Sequence, residues 1–317
     1  MTLQKVASIP LPVHRGESGF DHAAVDAAHA KLFVAHTAND AVDVIDLAAR
    51  KYERSISGLT GVAGVWTAGS EPLLFTSNRG EDTASIFRLP VGEELFRVAT
   101  GSRPNGMAFD PNHKVLLVAG VGNAERRRPP TATLFDVRTG ALVRQLELPG
   151  RTRWAIYNPY LKAFLVNISS PAQIAVVPLQ GPERPADFIE VPASGPHGLE
   201  QSPDGRTLYC ACDDAKLVKV DLPLRKAKVV AELAGPPDVL WMHSRLSQLY
   251  VAIGDPGVVQ MFRTDSDRLA DTLPTAEGAH TLTVDPSRNE VHVFLPDTHE
   301  DLVLRAAPDA SSWPRTA

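Results

Sequence analysis

A motif that recurs about every 42 residues constrains this 317-residue chain more than any other feature. Each copy has a leading loop, a short first strand, a polar turn, a second strand and a third strand. The order is clearest in SGPHGLEQSPDGRTLYCACDDAKLVKVDL, from Ser194 to Leu222. Seven copies, 41 to 48 residues apart, align at their first strands, which open near Phe20, Val62, Pro104, Thr152, Pro196, Pro237 and Ala279. Such a period with several short strands per unit is typical of β-propeller blades.

We therefore expect an all-β fold: a seven-bladed β-propeller of four-stranded antiparallel blades, forming a single domain over residues 1–317. The third copy is the longest because it carries VGNAERRRPPTAT between its second and third strands. We interpret the basic cluster in this insertion, Arg126 to Arg128, as part of a solvated loop.

The two ends of the chain predict how the ring closes. The seventh copy reaches Arg305 without a fourth strand, and we expect the tail beyond about Ala307 to be loosely ordered. Gln4 to Pro10 precede the first copy and have the pattern of a strand. This segment is expected to complete the last blade as its outer strand, which leaves no three-stranded blade exposed at the closure.

Composition and charge exclude some classes of partner. The chain is 44% hydrophobic and 22% charged, with a net charge of -5 and a pI near 6.1. This charge gives no electrostatic reason to expect nucleic acid or an anionic membrane as partner. The N-terminus lacks the apolar core of a secretory signal. We expect a cytoplasmic protein, or a periplasmic one if a signal has been removed, that is a monomer or weak dimer.

The sequence lacks several catalytic motifs. It has no phosphate-binding Gly-rich loop, no G-x-S-x-G and no H-E-x-x-H. Cys210 and Cys212 lie two apart on a predicted strand, where they share a face but are poorly placed to bridge each other. We interpret them as small residues of a reduced core.

One position of the repeat is expected to ring the mouth of the central channel, because the first strands of all blades line it. Its residues are Asp21, Ala63, Asn105, Arg153, His197, Asp238 and His280. Two imidazoles and two carboxylates from successive blades are donors that divalent metals accept. We therefore predict a divalent ion, zinc, manganese, iron, magnesium or calcium, held by Asp21, His197, Asp238 and His280.

The same ring suggests catalytic and substrate-binding roles. His197, Asp238 and His280 are candidate acids and bases. Arg153 and Asn105 are candidates to hold a substrate carboxylate or carbonyl, and Trp154 to wall the pocket. The alternative is that polar residues fill the channel by hydrogen bonding to each other and to water, and that Trp154 belongs to the core.

Two asparagines that follow second strands, Asn78 and Asn167, are further candidates for substrate binding. Asn is also common in turns, because it satisfies backbone groups and tolerates unusual dihedrals. Both interpretations of these residues stay open.

Segments such as AVDVIDLAARKYERSI and SPDGRTLYCACDDAKLVKVDL resemble the YVTN-type repeat of bacterial seven-bladed propellers, a group with lactonase-like members. The turn Pro196-His197-Gly198 is more distantly similar to a His-bearing turn of streptogramin lyase, whose channel histidines act with magnesium. The resemblance implies a metal-assisted hydrolase or lyase that acts on a small lactone-like or ester-like molecule. The alternative is a non-catalytic scaffold that binds a protein or peptide.

Overall fold

The computed structural model describes residues 2–16, 19–69, 71–90, 92–181, 185 and 187–307. These residues form seven four-stranded antiparallel sheets, arranged as the blades of a β-propeller. The fold predicted from the 42-residue period is confirmed. The predicted tail beyond residue 307 lies outside the described residues.

Each of blades 1 to 6 consists of four consecutive strands, and blade 7 of the last three strands and the first. In chain order the strands are β1 (Thr2–Pro10), β2 (Phe20–Asp26), β3 (Lys31–His36), β4 (Ala41–Asp46), β5 (Lys51–Ser57), β6 (Val62–Thr67), β7 (Leu73–Asn78), β8 (Thr83–Arg88), β9 (Glu93–Ala99), β10 (Pro104–Asp110), β11 (Val115–Gly120), β12 (Thr131–Asp136), β13 (Ala141–Glu147), β14 (Thr152–Asn158), β15 (Ala163–Ile168), β16 (Gln173–Pro178), β17 (Asp187–Glu190), β18 (Pro196–Gln201), β19 (Thr207–Cys212), β20 (Lys216–Asp221), β21 (Lys226–Glu232), β22 (Leu240–His243), β23 (Gln248–Ile253), β24 (Val258–Arg263), β25 (Arg268–Pro274), β26 (Leu282–Asp285), β27 (Glu290–Leu295) and β28 (Glu300–Ala307). Single 3-10 turns span Thr37–Asn39 and Ser244–Leu246.

Blades 6 and 7 begin their first strands later than the sequence alignment predicts. Regular pairing starts at Leu240 and Leu282, three residues after the predicted openings. The preceding residues still follow the strand path: Ala252 N donates to Val239 O at 2.9 Å, and Phe294 N donates to Thr281 O at 3.1 Å. Asp238 and His280 therefore lie on extended loops just above their strands.

The core lies between the blades. Every residue of β11 and of β27 is buried, whereas the outer strand β5 alternates between exposed and partly buried positions. Middle strands are covered on both faces by the neighbouring blades, so all of their positions are buried instead of every second one. Outer strands contact solvent and keep the alternation.

The ring closes through β1, as predicted. It pairs antiparallel with β28, with Leu3 opposite Ala306 and Ile9 opposite Asp301. Both Leu3 and Ile9 are buried, and the backbone N–H of Leu3 also donates to Asp271 of blade 6 at 2.6 Å. The N-terminal strand thus covers what would otherwise be a bare sheet edge.

We expect Ile9→Val to lower the free energy of unfolding by about 1 kcal/mol, because it deletes one methyl group from a packed site. The control is Val6→Ala on the same strand, which removes more carbon but from a side chain 38% exposed. Its cost is expected to stay below about 0.5 kcal/mol. Urea unfolding of both variants measures this, and equal costs would contradict the role of β1 in closure.

Glycines beside the ring positions allow adjacent first strands to approach closely. A Cβ on Gly106 would lie 2.4 Å from the carbonyl oxygen of Arg153, and one on Gly198 would lie 2.9 Å from that of Asp238. Both distances are shorter than Cβ contacts permit. Glycine in blades 3 and 5 therefore lets the next blade place its ring residue at the channel mouth.

Cys210 and Cys212 are both buried and unbridged, with their sulfur atoms 3.9 Å apart. This matches their interpretation as core residues. In the described part of the chain, no helix has the length and apolarity needed to cross a membrane.

Candidate anion-binding site at the channel mouth

Six of the seven ring residues line one cavity of about 220 Å³ at the end of the channel where the first strands begin. They are Asp21, Asn105, Arg153, His197, Asp238 and His280. The repeat brings them together because equivalent positions of the blades face a common axis. Ala63, the seventh ring position, does not line the cavity.

His197 lies at the centre of a hydrogen-bonded group with two carboxylates. Its Nδ1 donates to Asp213 Oδ1 at 2.7 Å, and its Nε2 lies 2.8 Å from Asp238 Oδ1. Burial disfavours the charged imidazole, but the nearby carboxylates of Asp238 and Asp213 outweigh it and raise the pKa of His197 to about 9. His197 is therefore an imidazolium at neutral pH, with both ring N–H groups directed at carboxylates.

The two carboxylates beside His197 stay ionised. Burial opposes their charge, yet the His197 imidazolium holds the pKa of Asp238 and that of Asp213 below the usual range. Arg153 adds a second cation beside Asp213, with its Nη2 3.3 Å from Asp213 Oδ2. The group is consequently rigid and charged, which makes His197 unsuited to act as a base.

His280 is placed differently and is suited to accept a proton. Its Nδ1 donates to the carbonyl oxygen of Gly278 at 2.7 Å, so Nε2 of the neutral ring carries the lone pair. This Nε2 lies 3.8 Å from Asp238 Oδ2, and the side chain is 37% exposed at the mouth. An imidazole placed in this way is a candidate general base.

Four arginines surround the same cavity, three of which the sequence did not suggest. Arg79 donates to Asp21 Oδ2 at 3.1 Å and to Asn105 Oδ1 at 2.9 Å. Arg103 and Arg151 line the cavity next to Arg153. Burial, followed by the charges of Arg153 and Arg103, lowers the pKa of Arg151 from its ordinary value. This crowding of like charges favours any anion that can bind between them.

The charges at the mouth sum to a positive site on a negative protein. Four guanidinium groups and the His197 imidazolium face three carboxylates, those of Asp21, Asp213 and Asp238. The chain as a whole carries a net charge of -5. A cavity with this balance attracts a small anion, and planar guanidinium groups match a carboxylate in particular.

Two aromatic contacts join opposite sides of the channel. Trp66 of blade 2 stacks on Trp241 of blade 6 with ring centroids 5.6 Å apart, and His22 of blade 1 contacts Trp154 of blade 4 at 4.3 Å. Neither pair joins adjacent blades, so both contacts cross the channel. Burial lowers the pKa of His22 and keeps it neutral. Trp154 is buried and does not line the cavity itself, although it contacts His22, which does.

Asn78 and Asn167, the two further candidates for substrate binding, do not line this cavity. Asn78 is fully buried and donates to Thr83 and Ser85 of its own blade, both at 3.0 Å. Asn167 donates to the backbone oxygen of His197 at 2.9 Å. Its role is to position the strand that carries His197.

As placed, the four predicted metal ligands do not fit a metal ion. A ligating imidazole needs a ring nitrogen free of its proton, and both nitrogens of His197 face carboxylates. Within the described residues, no group of three or more His, Cys, Asp or Glu side chains has the geometry to hold a metal ion. The divalent ion stays a prediction.

A weak sequence signal for the missed arginines exists in the loops that lead into the first strands. The residue before each strand opening is Gly or Pro in five copies, but it is Arg103 in the third and Arg151 in the fourth. Arg79 follows a second strand, and at such positions the alignment predicts polar turn residues, not ligand-binding ones. Loop side chains lack the alternation that orients strand residues, so their convergence could not be read from spacing.

We expect the stability of the protein to fall as pH rises through about 9 because of His197. Its pKa is raised in the folded state from the ordinary value of 6.5, so the stabilisation is fully present below pH 6.5 and is lost above the folded pKa. Urea unfolding across this range should show a larger fall for the wild type than for His197→Gln. Parallel pH profiles would contradict the imidazolium assignment.

Comparison with known proteins supports the fold alone. No protein-family model matches the chain, and no curated protein matches its sequence. Among solved structures, it is similar to a chain of Kuenenia stuttgartiensis hydrazine synthase, with a TM-score of 0.79 and 15% identity. The match covers 94% of this chain and 97% of that one. The likeness to YVTN-type and lactonase-like propellers thus stays a resemblance.

Proposed function

We propose that this propeller is an enzyme that binds a small, oxygenated, carboxylate-bearing molecule at the channel mouth and acts on it as a hydrolase or lyase. One observation carries the proposal: the imidazole of His280, whose Nδ1 is bound to Gly278 O, faces a cavity in which five cationic groups converge. An anion site beside a base with a fixed tautomer is an arrangement suited to proton transfer on a bound acid.

The arginines bind and orient the substrate in this proposal. Arg153 and Arg151 hold the carboxylate, and Arg79 is fixed by Asp21 and Asn105 so that it presents a charge to the same cavity. His197 is the positioning residue for Asp238, which it holds by a charge-assisted contact of 2.8 Å. Asp238 in turn faces the base.

His280 performs the proton transfer. In lactone or ester hydrolysis, its Nε2 takes a proton from water while the water oxygen attacks the carbonyl carbon. The C–O bond then breaks, and the departing oxygen takes the proton back from Nε2. In a lyase reaction, Nε2 instead removes a proton from the carbon next to the acid group. That electron pair forms the double bond, and the leaving group departs with its own bonding pair.

The experiment is a product screen by NMR with lactones, esters and β-substituted acids that carry a free carboxylate, run beside the matching neutral amides. The protein is assayed as purified, after chelation, and with each predicted divalent ion added, which also tests the metal prediction. Turnover that favours the carboxylate-bearing compounds supports the proposal. Equal turnover of acids and amides would contradict the role of the carboxylate in binding. No turnover of either class would contradict the proposed enzyme and favour the non-catalytic scaffold.

A further inference from the structure

A second cavity of about 340 Å³ adjoins the mouth, and Arg79 and Arg103 lie in the walls of both. The insertion of the third blade contributes Asn123 and Arg126 to its wall. The wall contains one carboxylate, that of Asp82, which accepts the backbone N–H of Arg103 at 2.7 Å. Three guanidinium groups against one carboxylate, itself occupied by backbone, make this cavity positive as well.

Local hydrogen bonds hold the insertion in a defined shape. Asn123 N donates to Arg128 O at 2.8 Å, Arg128 N donates back to Asn123 O at 2.9 Å, and Arg126 N donates to the Asn123 side chain at 3.0 Å. Gly122 has a φ of +81°, and a Cβ there would lie 2.7 Å from Pro130 N. The backbone of Arg126 is thus fixed beside the cavity, more firmly than a solvated loop requires.

The guanidinium groups of Arg103 and Arg126 are available to a ligand. Within the described ranges neither forms a side-chain hydrogen bond or an ion pair, whereas Arg79 is paired with Asp21 and Asn105. Unpaired cations on both sides of a cavity that opens beside an anion site provide a second place for negative charge.

We infer that the ligand carries two acid groups, the carboxylate at the mouth and a second acid group between Arg103 and Arg126 in the adjoining cavity. This rests on the proposed function, since it assigns the first acid group to the mouth. The third-blade insertion then has a specific task, which is to select a dianionic molecule over a monoanionic one of the same length.

The test is calorimetric titration with succinate, glutarate and adipate, compared with the monoacids butyrate, valerate and hexanoate. In the wild type, the diacid whose length spans the two cavities is expected to bind about fivefold more tightly than its monoacid. Arg126→Ala should remove that difference and leave the monoacid unchanged. Arg127→Ala is the matched control, because both arginines lie on the same hairpin and line the cavity on its other side, whereas only Arg126 also lines the cavity beside the mouth.

The outcomes separate this inference from the proposed function. If monoacids bind and no diacid binds more tightly, the inferred second acid site is wrong, but the proposed carboxylate site at the mouth is still supported. If Arg126→Ala and Arg127→Ala weaken the diacid equally, the effect is general surface charge, and the inference also fails. If neither class of acid binds, both the inference and the proposed function are overturned.

Discussion

His280→Gln is expected to lower kcat by a factor of about 10² to 10⁴, the range associated with loss of a general base, while substrate affinity changes little. Glutamine keeps a polar side chain of similar size, but it cannot take a proton at neutral pH. The hydrogen bond from Nδ1 to Gly278 fixes which nitrogen of His280 faces the mouth, so the effect should fall on the chemical step. Steady-state kinetics with the substrate from the product screen measures it.

The control for this substitution is His113→Gln, in the turn between β10 and β11 at the far end of the blade. His113 is 60% exposed and donates to Asp110 at 2.7 Å. Its replacement should leave kcat unchanged. A His280→Gln variant that keeps full kcat with an unaltered KM would remove His280 from the mechanism.

Arg153→Ala is expected to weaken binding of a carboxylate ligand by about tenfold or more, since it removes a charge-assisted contact in a partly buried site. Arg153→Lys should restore little of this, because an ammonium group lacks the planar fork that matches a carboxylate. Binding of the corresponding neutral amide should not change. Calorimetric titration of the three proteins with an acid and its amide gives the comparison.

Arg138→Ala controls for the change in net charge. Arg138 is 64% exposed and paired with Asp136 on a turn of blade 3. The substitution removes one positive charge from the protein and leaves the residues of the mouth unchanged. If both variants weakened the acid equally, long-range attraction instead of contact would explain the result, and Arg153 would lose its assigned role.

The repeat made the fold and part of the site predictable. Alignment of seven copies fixes which residues occupy equivalent places, and a propeller converts equivalent places into a ring. That is why residues as far apart in sequence as Asp21 and His280 line one cavity. The pairing of β1 with β28 was predictable for a related reason, since a seventh copy without a fourth strand needs an edge partner.

Other features depend on contacts that a repeat does not encode. The stacking of Trp66 on Trp241 joins non-adjacent blades across the channel, and no spacing in the sequence indicates it. The pairing of β2 with β3 shifts register between Phe20 and Ala23, and both Asp21 and His22 line the mouth. Simple alternation places only one of two neighbours on a given face, so the sequence makes Asp21 and His22 competitors for one position, whereas the irregularity lets both line the mouth.

The metal prediction was limited in the same way, because the repeat does not encode contacts between side chains. The ring contains two imidazoles and two carboxylates, and this set of donors suits a metal cation. The types of residue in the ring do not reveal that Asp213 and Asp238 contact both ring nitrogens of His197. Nor do they reveal that arginines from the loops make the net charge of the cavity positive. Donor identity was predictable from the sequence, whereas protonation and net charge required the geometry.

The most direct test of the central claim, that the mouth binds a small carboxylate, is calorimetric titration of the wild-type protein with lactate and with lactamide at low and high salt. These ligands share shape and differ in charge. We predict saturable binding of lactate at one site that weakens as salt increases, with no comparable binding of lactamide. Equal affinities for the two, or lactate binding that is unaffected by salt, would contradict the assignment of the mouth as an anion site.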